Sequence, residues 1–195
     1  MEADGASDGD LLRAHSAGDP HAFARLYDRY DRPCFRFIRR LLGAAHSEVA
    51  EDLHQETWIA VSNNAASFDP AKGGFAAWLF TIARRKVLDH YRRQKVAVLA
   101  TALDGFGEEA MDVPDPDPTP VEHVQSRERA QEIVAAVEAL PLEQRSALIL
   151  FAGSGLSLEE IAKVTNVAVE TAKSRLRYAR AKLRLSLAGE RSPHA

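Results

Sequence analysis

Residue types that do chemistry are present in this chain, but few of them stand at the spacings that chemistry requires. Glu51-x-x-His54 places a carboxylate and an imidazole on one helical face. That is how carboxylate-bridged four-helix bundles offer two ligands to a metal. Such a centre needs a second Glu-x-x-His, and none of His15, His21, His46, His90, His123 or His194 has a glutamate three residues earlier. The metal reading therefore fails. There is no glycine-rich phosphate loop, no Ser-His-Asp logic and no pair of acids with a cleft to serve, so the sequence argues against an enzyme and against a cofactor. Cys34 is the only cysteine, which rules out an intrachain disulfide and a cysteine-based zinc site and leaves a small buried side chain.

What remains is the chemistry of charge. In the last helical stretch Ala172, Leu176, Ala179 and Leu183 fall on one stripe at about 100° per residue, the face that must be buried. Lys173, Arg177, Arg180 and Arg184 form a second stripe beside it, and Arg175 and Lys182 lie on the other flank. Basic groups on both shoulders of a docked helix reach the phosphates along the two edges of a major groove, while the exposed N-terminal residues meet base edges. The competing reading is a solvated amphipathic helix with snorkelling cations. A capped helix and tight turn just before it tip the balance toward DNA. A second basic stretch, Arg84, Arg85, Lys86, Arg92, Arg93 and Lys95 against Asp89, is interleaved with Phe75, Trp78, Phe80 and Tyr91. Charge plus ring faces suits single-stranded nucleic acid, although Trp78, Leu79 and Ile82 also stand at core spacing and Trp78 reads as packed. A third stretch is acidic: Glu48, Glu51, Asp52 and Gln55 project away from Val49 and Leu53, as a wet surface or a protein-docking face.

Helices must position these groups. Hydrophobic residues make up 46% of the 195 and charged residues 27%, enough apolar material to bury a core. No apolar run approaches the roughly 20 residues that span a bilayer. The opening MEADGASDGD is the opposite of a secretory signal, so the chain is expected in the cytoplasm. The net charge of −3 hides two near-neutral blocks flanking an acidic connector, in which Lys95 faces Asp104, Glu108, Glu109, Asp112, Asp115, Asp117 and Glu122. The connector holds PDPDPTP from Pro114 to Pro120, which forbids a helix and reads as an extended linker. In the first block Asp19-Pro20 starts a helix through Tyr30, a second covers Cys34 to Leu42 and stops at Gly43, and Ser47 caps a third. A polar loop from Asn63 to Gly74 leads to a fourth helix, Phe75 to about Arg93. In the second block helices cover Arg127 to Leu140 and Leu142 to Ala152. Ser157-Leu158-Glu159-Glu160 is a capping box, Thr165-Asn166-Val167 a tight turn, and the last helix runs from about Val169 to Leu187. Short helix, tight turn and long basic helix is the helix-turn-helix pattern.

Taken in order, GDPHAFARLYDRY (18–30), AEDLHQETWIAV (50–61), FAAWLFTIARRKVLDHYRR (75–93) and ALPLEQRSALIL, GLSLEEIAKV and ETAKSRLRYARAKLR within 139–184 resemble the extracytoplasmic-function (ECF) group of bacterial sigma factors. The resemblance implies an all-α chain. A disordered tail (1–9) precedes a four-helix region 2 (10–94), a flexible acidic linker (95–123), a helix-turn-helix region 4 (124–187) and a C-terminal tail (188–195). It implies that Asp52, Gln55 and Glu56 dock on core RNA polymerase. It gives Lys72, Arg84, Arg85, Arg92 and Arg93 to the melted −10 element, with the loop from Asn63 forming part of a pocket for a flipped base. Glu170, Thr171, Lys173, Ser174, Arg175, Arg177, Tyr178 and Arg180 face the duplex −35 element. The linker would thread the polymerase interior near the RNA exit path, and a protein inhibitor, an anti-sigma factor, is the expected further partner. The chain departs from the family pattern at Arg85, where Asn is common, at Glu170 and Tyr178, where Gly and Arg are usual, and at Asn166, where a turn Gly is common. Its −10 and −35 sequences are therefore not carried over from relatives. The rival reading is a helix-turn-helix regulator that binds DNA without polymerase.

Overall fold

Periodic apolar residues and end caps set the helices, and the computed structural model describes residues 6–43, 46–104 and 122–189. Eight α-helices and no strand occur among the described residues. The first bundle consists of α1 (Asp8–Ser16), α2 (Pro20–Leu42), α3 (Ser47–Asn63), a 3-10 turn at Ala65–Ser67, and α4 (Phe75–Asp104). The second consists of α5 (Glu122–Glu138), α6 (Leu142–Gly153), α7 (Leu158–Thr165) and α8 (Val169–Gly189). The all-α architecture of two helical regions stands as expected. The Pro114–Pro120 stretch of the linker lies outside the described residues, as do residues 1–5.

Three boundaries differ from the sequence reading. Helix α1 begins at Asp8, inside the stretch assigned to a tail. Ser7 caps it by accepting from Asp10 N at 3.2 Å, and Leu11 and Leu12 bury themselves beneath it. Asp8 then ties α1 to α2, 2.8 Å from Arg29 Nη1 and accepting from Tyr30 Oη at 2.5 Å. Burial and this bond to a carboxylate push the Tyr30 phenol well above its ordinary pKa. The two helices expected between Pro20 and Leu42 are one, running straight through Pro33. An internal proline costs about 3 kcal/mol. Here it is outweighed by one continuous apolar stripe of Leu26, Cys34, Phe37, Ile38 and Leu41, all at 2% exposure or less. Helix α4 continues past Arg93 to Asp104, into the range given to the linker, because the VAVLATALD segment is free of glycine and proline. Ser47 is the first residue of α3, not its cap, and His46 holds the cap position without a side-chain bond.

Other local expectations stand. Asp19 Oδ1 accepts from His21 N at 2.9 Å and caps α2 at Pro20. At α7 Glu160 N donates to Ser157 Oγ at 3.2 Å, while Ser157 N donates to Glu160 Oε2 at 2.9 Å. Asn166 ends α7 with φ 53° and ψ 54°, the left-handed conformation that the tight turn requires.

The bundles are not separate in space. Their buried residues form one apolar cluster, in which Phe37, Ile38 and Phe80 join Ile149, Leu150 and Ile161. The exposed carbonyls at the C-terminal end of α2 are satisfied from elsewhere: Tyr91 Oη donates to Leu42 O at 3.0 Å, and Arg145 Nη1 of α6 donates to Leu41 O at 3.1 Å. Arg145 also donates to the carbonyls of Glu138 and Leu140, so one guanidinium joins the end of α5, the start of α6 and the end of α2.

Because Leu12 is 1% exposed and is the main anchor of α1, Leu12→Ala should cost about 2–5 kcal/mol of unfolding free energy. Urea unfolding followed by circular dichroism measures it. A loss below about 0.5 kcal/mol would show that α1 contributes little to the bundle.

Candidate nucleic-acid interface

Helix α8 buries the stripe that its sequence marks out. Ala172, Leu176 and Ala179 are at 4% exposure or less, and α6 and α7 supply the bed with Ile149, Leu150, Ile161 and Val164. The opposite side is wet. Glu170, Thr171, Lys173, Arg177, Tyr178 and Arg180 are exposed, and Ser174 is half-buried. Lys173 lies 3.6 Å from Glu170 one turn back. The Arg177 guanidinium stands 5.1 Å from the centre of the Tyr178 ring, and its Nη2 donates to Tyr178 Oη at 3.4 Å. Arg180 lies over the half-exposed ring of Phe151, 4.5 Å from its centre. Ring faces hold guanidiniums in place through cation–π attraction while leaving their outer N–H groups to solvent. Of the predicted residues on this helix, Arg175 alone turns inward. Its Nη1 is 2.8 Å from Glu143 Oε2 as an ion pair, out of line for a hydrogen bond.

Helix α4 divides its cations differently. Arg85, Arg92 and Arg93 are exposed, and Asp89 serves two of them, 3.9 Å from Arg85 and 3.2 Å from Arg92. Lys72 is exposed in the preceding loop, 3.4 Å from Asp69. Arg84 is buried at 8% exposure. Its Nη2 donates to both carboxylate oxygens of Glu143 at 2.7 Å, and its Nε donates to Ser146 Oγ at 3.1 Å. Burial draws its pKa down, Glu143 opposes that shift, and the nearby Arg175 adds to it. The structure thus brings Lys72, Arg85, Arg92 and Arg93 to an open surface and removes Arg84 from it. Trp78 is packed, in contact with Phe68 and Phe75 at ring separations of 5.4 and 6.1 Å. Phe68, Lys72, Gly73, Trp78 and Thr81 line a cleft of about 180 Å³ beside the loop, and Lys163 of α7 closes one wall.

On α3, Asp52 and Gln55 are exposed. Glu56 is half-buried against α4, 2.9 Å from Lys86 Nζ, and that ammonium holds its carboxyl below the usual range. Trp58 Nε1 donates to His54 Nε2 at 3.0 Å, which makes that nitrogen an acceptor, and burial lowers the imidazole's pKa accordingly. His54 is therefore committed to the bundle, and no cluster of metal-ligating side chains occurs among the described residues.

Sequence reasoning missed Glu143, Ser146, Lys163 and Phe151. None carries a local signal: Glu143 reads as an ordinary acid in a helix's first turn, and its role appears only when α4 lies beside α6.

A bundle that presents basic groups beside an aromatic-lined cleft, followed by a helix-turn-helix unit, defines the class. The Sigma-70 region 2 family matches residues 26–96, and the Sigma-70, region 4 family matches residues 130–183. The chain is 34% identical over 177 residues to the ECF RNA polymerase sigma factor SigM of Mycobacterium tuberculosis, across 91% of this chain and 83% of that protein. To the ECF sigma factor SigW of Bacillus subtilis it is 32% identical, across 87% of this chain and 91% of that one. Its fold is similar to that of the sigma factor RpoE, solved in complex with the anti-sigma factor NepR from Bartonella quintana. The TM-score is 0.69 at 27% identity, over 87% of this chain and 98% of that one. The chain belongs to the ECF sigma-factor family.

With Arg177 exposed on α8 and held by Tyr178, Arg177→Ala should weaken binding to a −35 duplex by about 1–3 kcal/mol, the size of one good base contact. Fluorescence anisotropy on short duplexes reads this. An unchanged affinity would remove Arg177 from the recognition surface.

Proposed function

We propose that this ECF sigma factor brings core RNA polymerase to promoters through three separate surfaces. Asp52 and Gln55 on α3 dock on the polymerase, with Glu56 at the edge of that contact. Residues 170–180 of α8 read duplex −35 DNA from the major groove. Lys72, Arg85, Arg92 and Arg93, with the cleft beside the loop, hold the −10 strand once it has unpaired. The observation that carries the reading is the capped α7, left-handed Asn166 and basic α8 in one chain with a second basic helix in a different bundle. A repressor needs only the first of these. The match of Sigma-70 region 2 to residues 26–96 counts against that simpler protein.

The reading gives the chain no catalytic step of its own. Opening is driven by capture: unstacked bases bind in pockets and along a basic surface while polymerase holds the duplex. Arg84 belongs to this surface only when it is released from Glu143. The protein acts in the cytoplasm, where polymerase is, and no described helix is long and apolar enough to cross a membrane. An anti-sigma factor is its further partner, supported by the fold shared with a sigma factor solved in such a complex.

The test is core binding. Asp52→Lys with Gln55→Ala should abolish holoenzyme formation in a core-polymerase pull-down, while melting temperature and helicity stay near wild type because both side chains are exposed. Glu56 is left intact, since its loss would also break the pair with Lys86. Full core binding by the double variant would show that α3 is a solvated face only.

A further inference from the structure

The contact between the two bundles is where groups assigned to different DNA elements meet. Arg84 comes from the helix assigned to opened −10 DNA, and Arg175 from the helix assigned to −35 duplex. Both are paired with one carboxylate, that of Glu143 on α6. The Arg84 side chain is 9% exposed and that of Arg175 is 22% exposed, while their neighbours Arg85 and Arg177 are open to solvent. A carboxylate that accepts from two guanidiniums has the charge and acceptor geometry that a phosphodiester oxygen pair would offer them. A second contact points the same way. Lys163 Nζ, in the first helix of the helix-turn-helix, donates to Lys72 O at 2.9 Å and so pins α7 over the loop and its cleft.

We propose that this arrangement is a self-inhibited state, in which Glu143 occupies the place of a DNA phosphate and the second bundle covers part of the strand-opening surface of the first. Resting on the promoter-binding reading above, it adds how that surface is controlled. The closed state hides Arg84, diverts Arg175 and walls the cleft with Lys163. Glu143 is itself 41% exposed, so water, salt and competing phosphates reach the lock. Closure and DNA binding are thus alternatives: the cations that hold the bundles together are those that DNA requires. Polymerase, by holding the bundles apart on its own surface, would release both at once.

The experiment uses the full chain with donor and acceptor dyes on cysteines introduced at the exposed positions Ala24 and Ser186, one in each bundle. Cys34 is left in place, since it is fully buried and burial raises its thiol pKa, which keeps it unlabelled. Glu143→Gln removes the charge at constant shape, and Ser146→Ala removes the Arg84 Nε acceptor at constant net charge. Glu159→Gln removes one charge from an exposed site on α7 and serves as the control. Energy transfer should be high in the wild type, fall in Glu143→Gln and Ser146→Ala, and stay high in Glu159→Gln. The unlabelled Glu143→Gln protein should bind a −35 duplex about tenfold more tightly, as expected when a masked site becomes freely populated. Ser146→Ala should gain in the same direction, and Glu159→Gln should gain less than Glu143→Gln. Helicity by circular dichroism confirms that each variant folds. If Glu143→Gln does not, Ser146→Ala alone decides. Unchanged transfer in the folded variants overturns the proposal. So does lost transfer without tighter binding than the control. Holoenzymes made with wild type and Glu143→Gln should bind promoter equally. A wild-type holoenzyme that ignores promoter DNA would instead refute the function, whatever the transfer shows.

Discussion

Arg84 carries a full positive charge into the contact between two helical bundles, and it can remain there only because Glu143 and Ser146 come to meet it. A buried cation without partners is costly, so the register of α4 against α6 is fixed by a demand stronger than apolar packing alone. Arg145 makes the complementary demand from the other side, satisfying carbonyls at the end of α2 and the end of α5. The two guanidiniums define how the bundles lie, and the apolar cluster fills in around them. Breaking such a contact leaves charges that must find other partners. Nucleic acid supplies these in the form of phosphate.

The same physics explains why each bundle has one committed and one available set of cations. Lys86 is drawn to Glu56 and Arg84 to Glu143, both between elements, whereas Arg85, Arg92 and Arg93 stand in water with only Asp89 beside them. On α8 the committed cation is Arg175, and the available ones are Lys173, Arg177 and Arg180. A basic helix on its own would be soluble and unspecific. Burying Ala172, Leu176 and Ala179 against α6 and α7 fixes which ridge faces out, and the left-handed Asn166 fixes the angle at which α8 leaves α7.

Features written in a few adjacent residues were legible in the sequence. The Asp19-Pro20 start, the Ser157/Glu160 capping box, the turn at Asn166 and the buried stripe of α8 all depend on local spacing. Features set by packing were not. Pro33 reads as a helix break until its neighbours Cys34, Phe37 and Ile38 are seen to be fully enclosed. Helix α1 is short and weakly periodic, and it exists because Leu11 and Leu12 find a core and Asp8 finds Arg29 and Tyr30. Arg84 and Arg85 are adjacent and chemically identical in sequence, yet one is buried in an ion pair and the other faces solvent. Only the tertiary contact with Glu143 separates them.

The account's central claim is a division of labour, with α8 reading duplex and the open face of α4 serving the unpaired strand. Permanganate reactivity of promoter thymines, on matched and pre-melted templates, tests it most directly. Holoenzyme carrying Arg85→Ala should form a near-normal closed complex on matched DNA, open it slowly or not at all, and recover on a template already melted at −10. Weakened duplex binding with normal thymine reactivity on matched DNA would contradict the account, because α4 would then belong to duplex recognition rather than strand opening.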